Sequence, residues 1–597
     1  MKSVASISVV FLGFAFLNTA ALGAGERAMS SETQAYIVAV DGNDENPGTQ
    51  QNPWRTIQHA VDRLQAGETA YVRGGVYEES VVIEKSGAPD KYITLQNYPG
   101  EHPVIDPAFN AGSAILVWGG YIRIKGFEIR NCKPRMDRRG DIGALRIFTS
   151  QHCVAEGNTI HHIIGVQSET GGGKPAVGIH IQYSDDIVIQ NNTVYDIVGH
   201  TESMGIMADT VSNTAIRRNL VYFCDKEGIR LLTWDRDSDN VIEGNVTLSN
   251  NVGIEVNMCS LQNHTTTVRN NFSGWNCSHG MQIKHTTNTV VTHNTIYGNH
   301  NPGLRFNDRP FNYYAVVKNN ILSNNLLALS IVDRENFHET VDYDFYQYQP
   351  GGLLAWFDWS ETGKCYSLAD IRRKTAETDT IGTMYERHGK EGDPLFVNPA
   401  DHDFRLQAGS PARGAADDGK DMGALESELV EVGADKAHSL AQIPDLGELK
   451  LRIESFSSET EQGRAANAVD GRYGTYWEVE TTKDSKMEIV LALPGEKPHN
   501  LTFITLTKDE PETGNRLYRQ FGLYVDDGSG QWKSVPESPE HPFVGYTSDL
   551  NNGETWALPA GTMARRVKVE LVSGYGDVIR MPEIRVYAEK GRARDAR

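Results

Sequence analysis

Five residues in the middle of the chain have the types and spacing that chemistry on a polymer needs. Lys284 and Arg305 stand 21 positions apart, Arg230 lies farther back, and Asp209 and Glu255 fall in the same region. Taking the proton α to a carboxylate requires a base beside it and a cation on the carboxylate, because the developing dianion is otherwise out of reach. Lys284 as base, with Arg305 and Arg230 as clamps, would serve β-elimination on a uronate. Asp209 and Glu255 instead suggest two carboxylates dividing the acid and base roles of glycoside hydrolysis, with Glu227, Asp235 and Asp308 near enough to replace either. Both schemes require residues about two dozen positions apart to meet in space.

The surrounding pattern provides for that meeting. A glycine followed by alternating apolar positions recurs at Gly178-Ile179-His180-Ile181, Gly205-Ile206-Met207-Ala208, Gly228-Ile229-Arg230-Leu231, Gly253-Ile254-Glu255-Val256, Gly280-Met281-Gln282-Ile283 and Gly303-Leu304-Arg305-Phe306, in steps of 27, 23, 25, 27 and 23. An asparagine keeps the same time at Asn158, Asn192, Asn219, Asn245, Asn271, Asn294 and Asn320. A period in the twenties reads as a solenoid. No leucine ladder or helical segment accompanies it. Each unit holds short β-branched runs such as Asp186-Ile187-Val188-Ile189, bounded by Asn, Gly, Ser and Asp turns. The fold expected is a right-handed parallel β-helix, with coils stacked at the inter-strand spacing of ~4.8 Å. The asparagine amide both donates and accepts, so one per coil builds a buried ladder.

Strand alternation then sorts the side chains. The apolar residues after each glycine face the coil interior. His180, Met207, Arg230, Glu255, Gln282 and Arg305 form one outward column, and Gln182, Asp209, Leu232, Asn257, Lys284 and Asn307 the next. With Trp234 and Trp275 in nearby turns, this wall suits a sugar polymer, and His180, Asn257, Gln282, Trp234 and Asn307 are its candidate substrate contacts. Asp209 and Glu255 come two coils apart, with backbones ~9 to 10 Å apart. The alternating carboxylates of Asp235 to Asn240 suit calcium in a turn. They do not form an EF-hand loop, since the sixth position is Asn240 and the twelfth Val246.

Charge and composition narrow the partners. With 57 basic and 78 acidic residues the chain carries a net charge of -21, which argues against nucleic acid or an anionic membrane as a general partner. Met1-Lys2, an apolar run from Val9 to Leu17 and the small residues Ala20, Ala21, Gly23 and Ala24 read as a signal peptide over residues 1–24, hence a secreted protein. No other segment approaches a membrane span, and a monomer is expected. The six cysteines contain no CxxC pair. Cys132 and Cys153 either bridge or fill the coil interior.

Reading onward, Val40 to Thr49, Asn52 to Val61 and Gly67 to Tyr77 resemble the N-terminal cap and first coil of β-helix carbohydrate-active enzymes. A helical turn from Thr56 to Leu64 would cover the open end of the stack. Asp393 to Pro399 and Phe404 to Ala412 resemble the closing coil of the same enzymes. The β-helix catalytic domain thus spans 25–428, with an aromatic-rich insertion over 342–392 that either overhangs the binding face or packs under a loop. Lys284 and Arg305 resemble the Lys and Arg spacing of β-helix polysaccharide lyases of the alginate lyase and chondroitinase B type, although His285 and Phe306 stand where that family tends to have serine and histidine.

Residues 429–447 read as an acidic linker. Beyond it, 448–592 alternate as an antiparallel β-sandwich of the jelly-roll kind. Here Ala465 to Gly471, Thr475-Tyr476-Trp477 and Met581 to Tyr587 resemble discoidin (coagulation factor 5/8 type C) domains, many of which bind sugars. That resemblance implies a structural calcium on Asp470, Thr475 and Glu583, all oxygen donors. The reading as a whole is an exported polysaccharide lyase. A glycoside hydrolase and a non-catalytic glycan-binding protein stand as alternatives.

Overall fold

The computed structural model describes residues 35–137, 142–167, 173–199, 203–233, 239–259, 264–307, 314–331, 340–348, 352–357, 361–377, 384–470, 476–482, 486–507, 518–535, 553–573, 578–581 and 583–589. The first domain is a parallel β-helix of three 12-stranded sheets. The pairs within these sheets are parallel, apart from the last strand of the second sheet, Lys364–Cys365, which pairs antiparallel with Ala355–Phe357. One continuous apolar core runs through the coils, from Val38 and Trp54 to Phe357 and Tyr385.

Two repeating features set the coil. Each ladder asparagine is fully buried, and its amide donates to the Oδ1 of the asparagine one coil on: Asn158 to Asn192, Asn192 to Asn219, Asn219 to Asn245 and Asn245 to Asn271, each at 3.0 Å. The residue just before each of these turns is left-handed, including the non-glycine residues Asn191, Arg218, Asn270 and His293. An L-residue there costs roughly 1–2 kcal/mol, which the buried amide bonds offset. A second ladder, Asn250, Asn276, Asn299 and Asn325, stacks in the same way. Its spacing of 26, 23 and 26 keeps the coil period. The repeated glycines have a separate cause: a Cβ on Gly205 would lie 2.6 Å from the carbonyl oxygen of Gly228, and one on Gly253 2.5 Å from that of Gly280.

The ends are closed as strand edges require. A helix over Ile57–Arg63, capped by Thr56, buries Ile57, Ala60 and Val61 over the first coil. Asp44 accepts from the Arg55 and Thr56 amides and the Thr56 hydroxyl, so the acidic opening anchors this helix. At the far end the aromatic-rich segment is not a lid. It adds rungs at Thr340–Asp342, Phe345–Gln347 and Ala355–Phe357, and Phe345, Tyr346, Trp356 and Phe357 are buried. The helix Leu368–Glu377 follows, with Leu368 and Ile371 against the core. All six cysteines are buried, as fillers.

The segment expected as a linker is a strap. Phe396, Phe404, Leu429, Val432, Leu440 and Ile443 pack on Leu220, Leu248, Phe272 and Ile321 of the third sheet. Along the strap, Ala434 donates to Thr193 and Asn191 to the Glu431 carbonyl. The second domain is an antiparallel sandwich. A five-stranded sheet, including Lys486–Ala492, Arg566–Ser573 and Tyr518–Asp526, faces a three-stranded one of Gly553–Ala564, His499–Thr507 and Ile584–Ala588. The domain docks on the β-helix through Phe503, stacked at 3.9 Å on Phe223, and Tyr587, whose hydroxyl is 3.2 Å from that of Ser249.

Candidate functional site

Six strands of the second sheet carry the candidate residues: β1 (Val177–Gln182), β2 (Met204–Asp209), β3 (Glu227–Leu232), β4 (Val252–Asn257), β5 (Met281–Lys284) and β6 (Pro302–Asn307). Their register places His180, Met207, Arg230, Glu255, Gln282 and Arg305 in one row and Gln182, Asp209, Leu232, Asn257, Lys284 and Asn307 in the next. The two outward columns thus lie on one wall.

At the centre is Glu255, 1% exposed. Its two carboxylate oxygens meet Lys284 Nζ at 2.8 Å and Arg230 Nε at 3.2 Å, and Asn257 donates to it at 3.2 Å. A carboxylate this deeply buried persists only when paired, and here it is shared by two cations from neighbouring coils. Arg305, one coil beyond Gln282, donates to His279 Nε2 at 2.8 Å, while His279 Nδ1 lies 2.6 Å from the Ser278 hydroxyl. Burial, with Arg305 next in effect, holds the His279 imidazole well below its ordinary range. The ring is therefore neutral and accepts from the arginine.

Strict alternation missed a third column. The residue before each glycine would face inward by parity, yet Met204 Sδ lies 4.0 Å from Arg230 Nη1 and His279 touches Arg305. With no Cβ on the glycine, neighbouring coils approach closely and the preceding residue turns onto the outer wall. Glu227 occupies this column between Met204 and His279. Burial, then the Glu255 charge, pushes its carboxyl up to about 7.

Other candidates lie apart from this cluster. Asp209 accepts from Gln182 and Thr210, both at 2.8 Å, and Leu232 separates it from Asn257 in its own row. His180 is buried with its Nδ1 3.4 Å from the Ile142 carbonyl oxygen. Burial and Arg146 lower it to about 4, so it is a neutral wall residue. Gln282 is buried between Glu255 and Arg305 in its row. Trp275, expected near this wall, packs on His402 and Phe404 beneath the strap. Trp234, Asp235, Asp237, Asp308 and Thr475 lie outside the described residues, as does the side chain of Asn307.

Calcium has a fitting donor set in part. Asp470 ends the turn Ala465–Val469, and Glu583 is 3% exposed in the second domain. Both are the hard oxygen donors that ion takes. Among the described residues no group of three or more His, Cys, Asp or Glu could hold a metal. A groove of about 830 Å³ lies on the third sheet under the strap, lined by His161, Tyr195 and Tyr222. Its acidic groups are largely matched there, Glu156 by Lys125 and Glu128 by Arg130, whereas on the second-sheet wall two cations share one buried carboxylate, Glu255.

These features define a two-domain protein: a right-handed parallel β-helix with a polar wall on one sheet, followed by a discoidin-type sandwich. Comparison with known families agrees. Residues 36–224 match the Pel9A-like, right-handed β-helix region, 452–584 the F5/8 type C domain, and 232–346 the family described as periplasmic copper-binding protein (NosD). The chain is 26% identical over 443 residues to the uncharacterized protein YwoF of Bacillus subtilis (strain 168), covering 63% of this chain and 91% of that protein. It is 42% identical over 71 residues to pectate lyase PEL9 of Emericella nidulans, a match confined to 12% of this chain and 17% of that enzyme. Among solved structures, pectate lyase Pel9A aligns with a TM-score of 0.40 at 15% identity, covering 66% of this chain and 97% of its own. No helix among the described residues is long and apolar enough to cross a membrane.

Proposed function

We propose that this chain is an exported polysaccharide lyase acting on a uronate-containing polymer. The observation that carries the reading is one wall on which Arg230 and Lys284 meet the buried Glu255 carboxylate and Arg305 follows in the same row beyond Gln282. Among the described residues of that wall the cations Arg230, Lys284 and Arg305 stand against the carboxylates Glu255 and Asp209, which favours an anionic sugar despite the net charge of -21. In this reading Arg305 and Arg230 engage the uronate carboxylate and stabilise the charge that develops on it. Lys284 takes the C5 proton. Glu255 at 2.8 Å holds its Nζ in place for that transfer. Asn257, Gln282, Asn307, His180 and Trp234 serve as flanking contacts.

The similarity to pectate lyase PEL9 supports the reaction class. Hydrolysis by Asp209 and Glu255 has less support, since Asp209 is engaged by Gln182 and Thr210. A purely adhesive role does not explain a buried carboxylate held between two cations. The second domain, which matches the F5/8 type C family, would anchor the enzyme to glycan, with Asp470, Thr475 and Glu583 holding a structural calcium.

Digestion of a polysaccharide panel tests the proposal. Elimination yields an unsaturated uronate and new ultraviolet absorbance along with each reducing end. Reducing ends without that absorbance would replace the lyase by a hydrolase.

A further inference from the structure

Elimination breaks two bonds, and the wall described so far handles only one of them. The base removes the C5 proton, and the electron pair of that C–H bond forms the C4–C5 double bond as the C4–O bond breaks. The departing glycosidic oxygen then needs a proton. Arginine is a poor source, because it stays protonated under all ordinary conditions. A neutral carboxyl is a good one.

Glu227 is so placed. It occupies the column made by the residues that precede the glycines, alongside the row of Arg230 and Glu255 and reached from the same wall. The residue is partly exposed, yet its Oε2 is buried and has no hydrogen-bond partner. An ionised oxygen left so costs far more than a neutral carboxyl, although the neutral group also pays for its missing partner. The charged groups acting on it are Lys226 and Arg230 from its own segment, Glu255 from β4 and Lys284 from β5. The three cations favour ionisation. Burial and the Glu255 carboxylate oppose them and prevail, in keeping with the unpartnered oxygen.

We propose, on the footing of the lyase reading above, that Glu227 is the catalytic acid of this wall, donating its carboxyl proton to the departing glycosidic oxygen, with Glu255 as the positioning residue that governs it. Solvent returns the proton to Glu227 after the product leaves, and the base releases its own to solvent. The same donor would serve a hydrolase, so the assignment constrains either cleavage.

The test uses the full chain and whichever polysaccharide of the panel it degrades. Glu227→Gln should lower kcat about 10²- to 10⁴-fold, the range of one general acid, with KM little changed. On a synthetic uronide with an aryloxy group at the cleaved position, which departs without a proton, the loss should nearly vanish. Glu255→Gln removes the negative charge that keeps Glu227 protonated, so the alkaline limb of the kcat/KM profile should move to lower pH. Glu227→Asp, which keeps a carboxyl, should retain an alkaline limb at reduced rate and covers the case in which the glutamine variant fails to fold. Equal losses on both substrates, or full activity of Glu227→Gln, would overturn the assignment while leaving the lyase intact. A wild-type chain with no cleaving activity would overturn both.

Discussion

Lys284 Nζ stands 2.8 Å from Glu255 Oε2 across adjacent coils, and the other oxygen of the same carboxylate meets Arg230 at 3.2 Å. One buried acid thus ties together two cations whose backbones belong to different turns of the helix.

Lys284→Met should reduce turnover about 10²- to 10⁴-fold, read as the rate at which unsaturated product absorbs. The substitution also leaves Glu255 buried with one cation fewer, which destabilises the fold. Lys284→Met combined with Glu255→Gln should recover part of that stability and none of the activity. A double-mutant cycle from denaturant unfolding measures the coupling.

Arg305 and Arg230 differ in their expected effects. Arg305 is held by a neutral histidine on the wall, so Arg305→Ala should raise KM for an anionic polymer about 10- to 100-fold, the worth of a charged hydrogen bond. Added salt should weaken wild-type binding more than that of the variant. Arg230→Ala also uncovers Glu255, so it should lower both stability and kcat.

The first asparagine ladder ends on a carboxyl pair. Asn320 donates to Asp344, and Glu386 accepts from the Asp344 amide and the Tyr346 hydroxyl, all buried. Burial raises both acids, Glu386 to about 7 and Asp344 in the same direction. The folded chain therefore keeps protons that the unfolded chain has released, and stability falls as pH rises from the unfolded carboxyl range through about 7. Thermal midpoints should drop over that window. Asp344→Asn, whose amide can donate to Glu386, should flatten the slope.

Asn245→Ala removes both amide bonds of one rung and leaves its neighbours' polar groups buried. Asn219 donates to Asn245 through its backbone and side chain, and Asn245 donates to Asn271 and to the Ile216 carbonyl. Each buried group left unsatisfied costs about 1–3 kcal/mol, so urea unfolding should show a loss of at least about 3 kcal/mol.

Phe503→Ala should uncouple the two domains. Its ring stacks on Phe223 at 3.9 Å, in the small cluster that includes Tyr587 and Val198. Loss of a buried Phe costs about 3–5 kcal/mol. A separate calorimetric transition for the sandwich and faster proteolytic release are the expected readouts.

The wall was legible in the sequence because two periods lock it. Alternation fixes which face a residue takes, and the coil repeat fixes its neighbour, so Asn257 beside Lys284 and Glu255 beside Gln282 follow from counting. Counting gave Glu227 only as a substitute carboxylate outside the two columns and failed at His279, since it treats the strand as regular while the glycine behind each one lets neighbouring coils close up. It failed again at Trp275 and at the acidic strap, where polar composition suggested exposure while Leu429 and Val432 were already placed to cover the third sheet.

By itself the sequence determined the solenoid, its coil period and the membership of the two columns, because backbone hydrogen bonding and side-chain alternation are local rules repeated many times. Only the tertiary structure decided which charges meet: that Glu255 is buried between Lys284 and Arg230, that Asp209 stands apart, and that Glu227 joins the wall. Ion pairs and desolvation depend on distances of a few ångströms between side chains from different coils, and the spacing of residues along a chain does not carry that information.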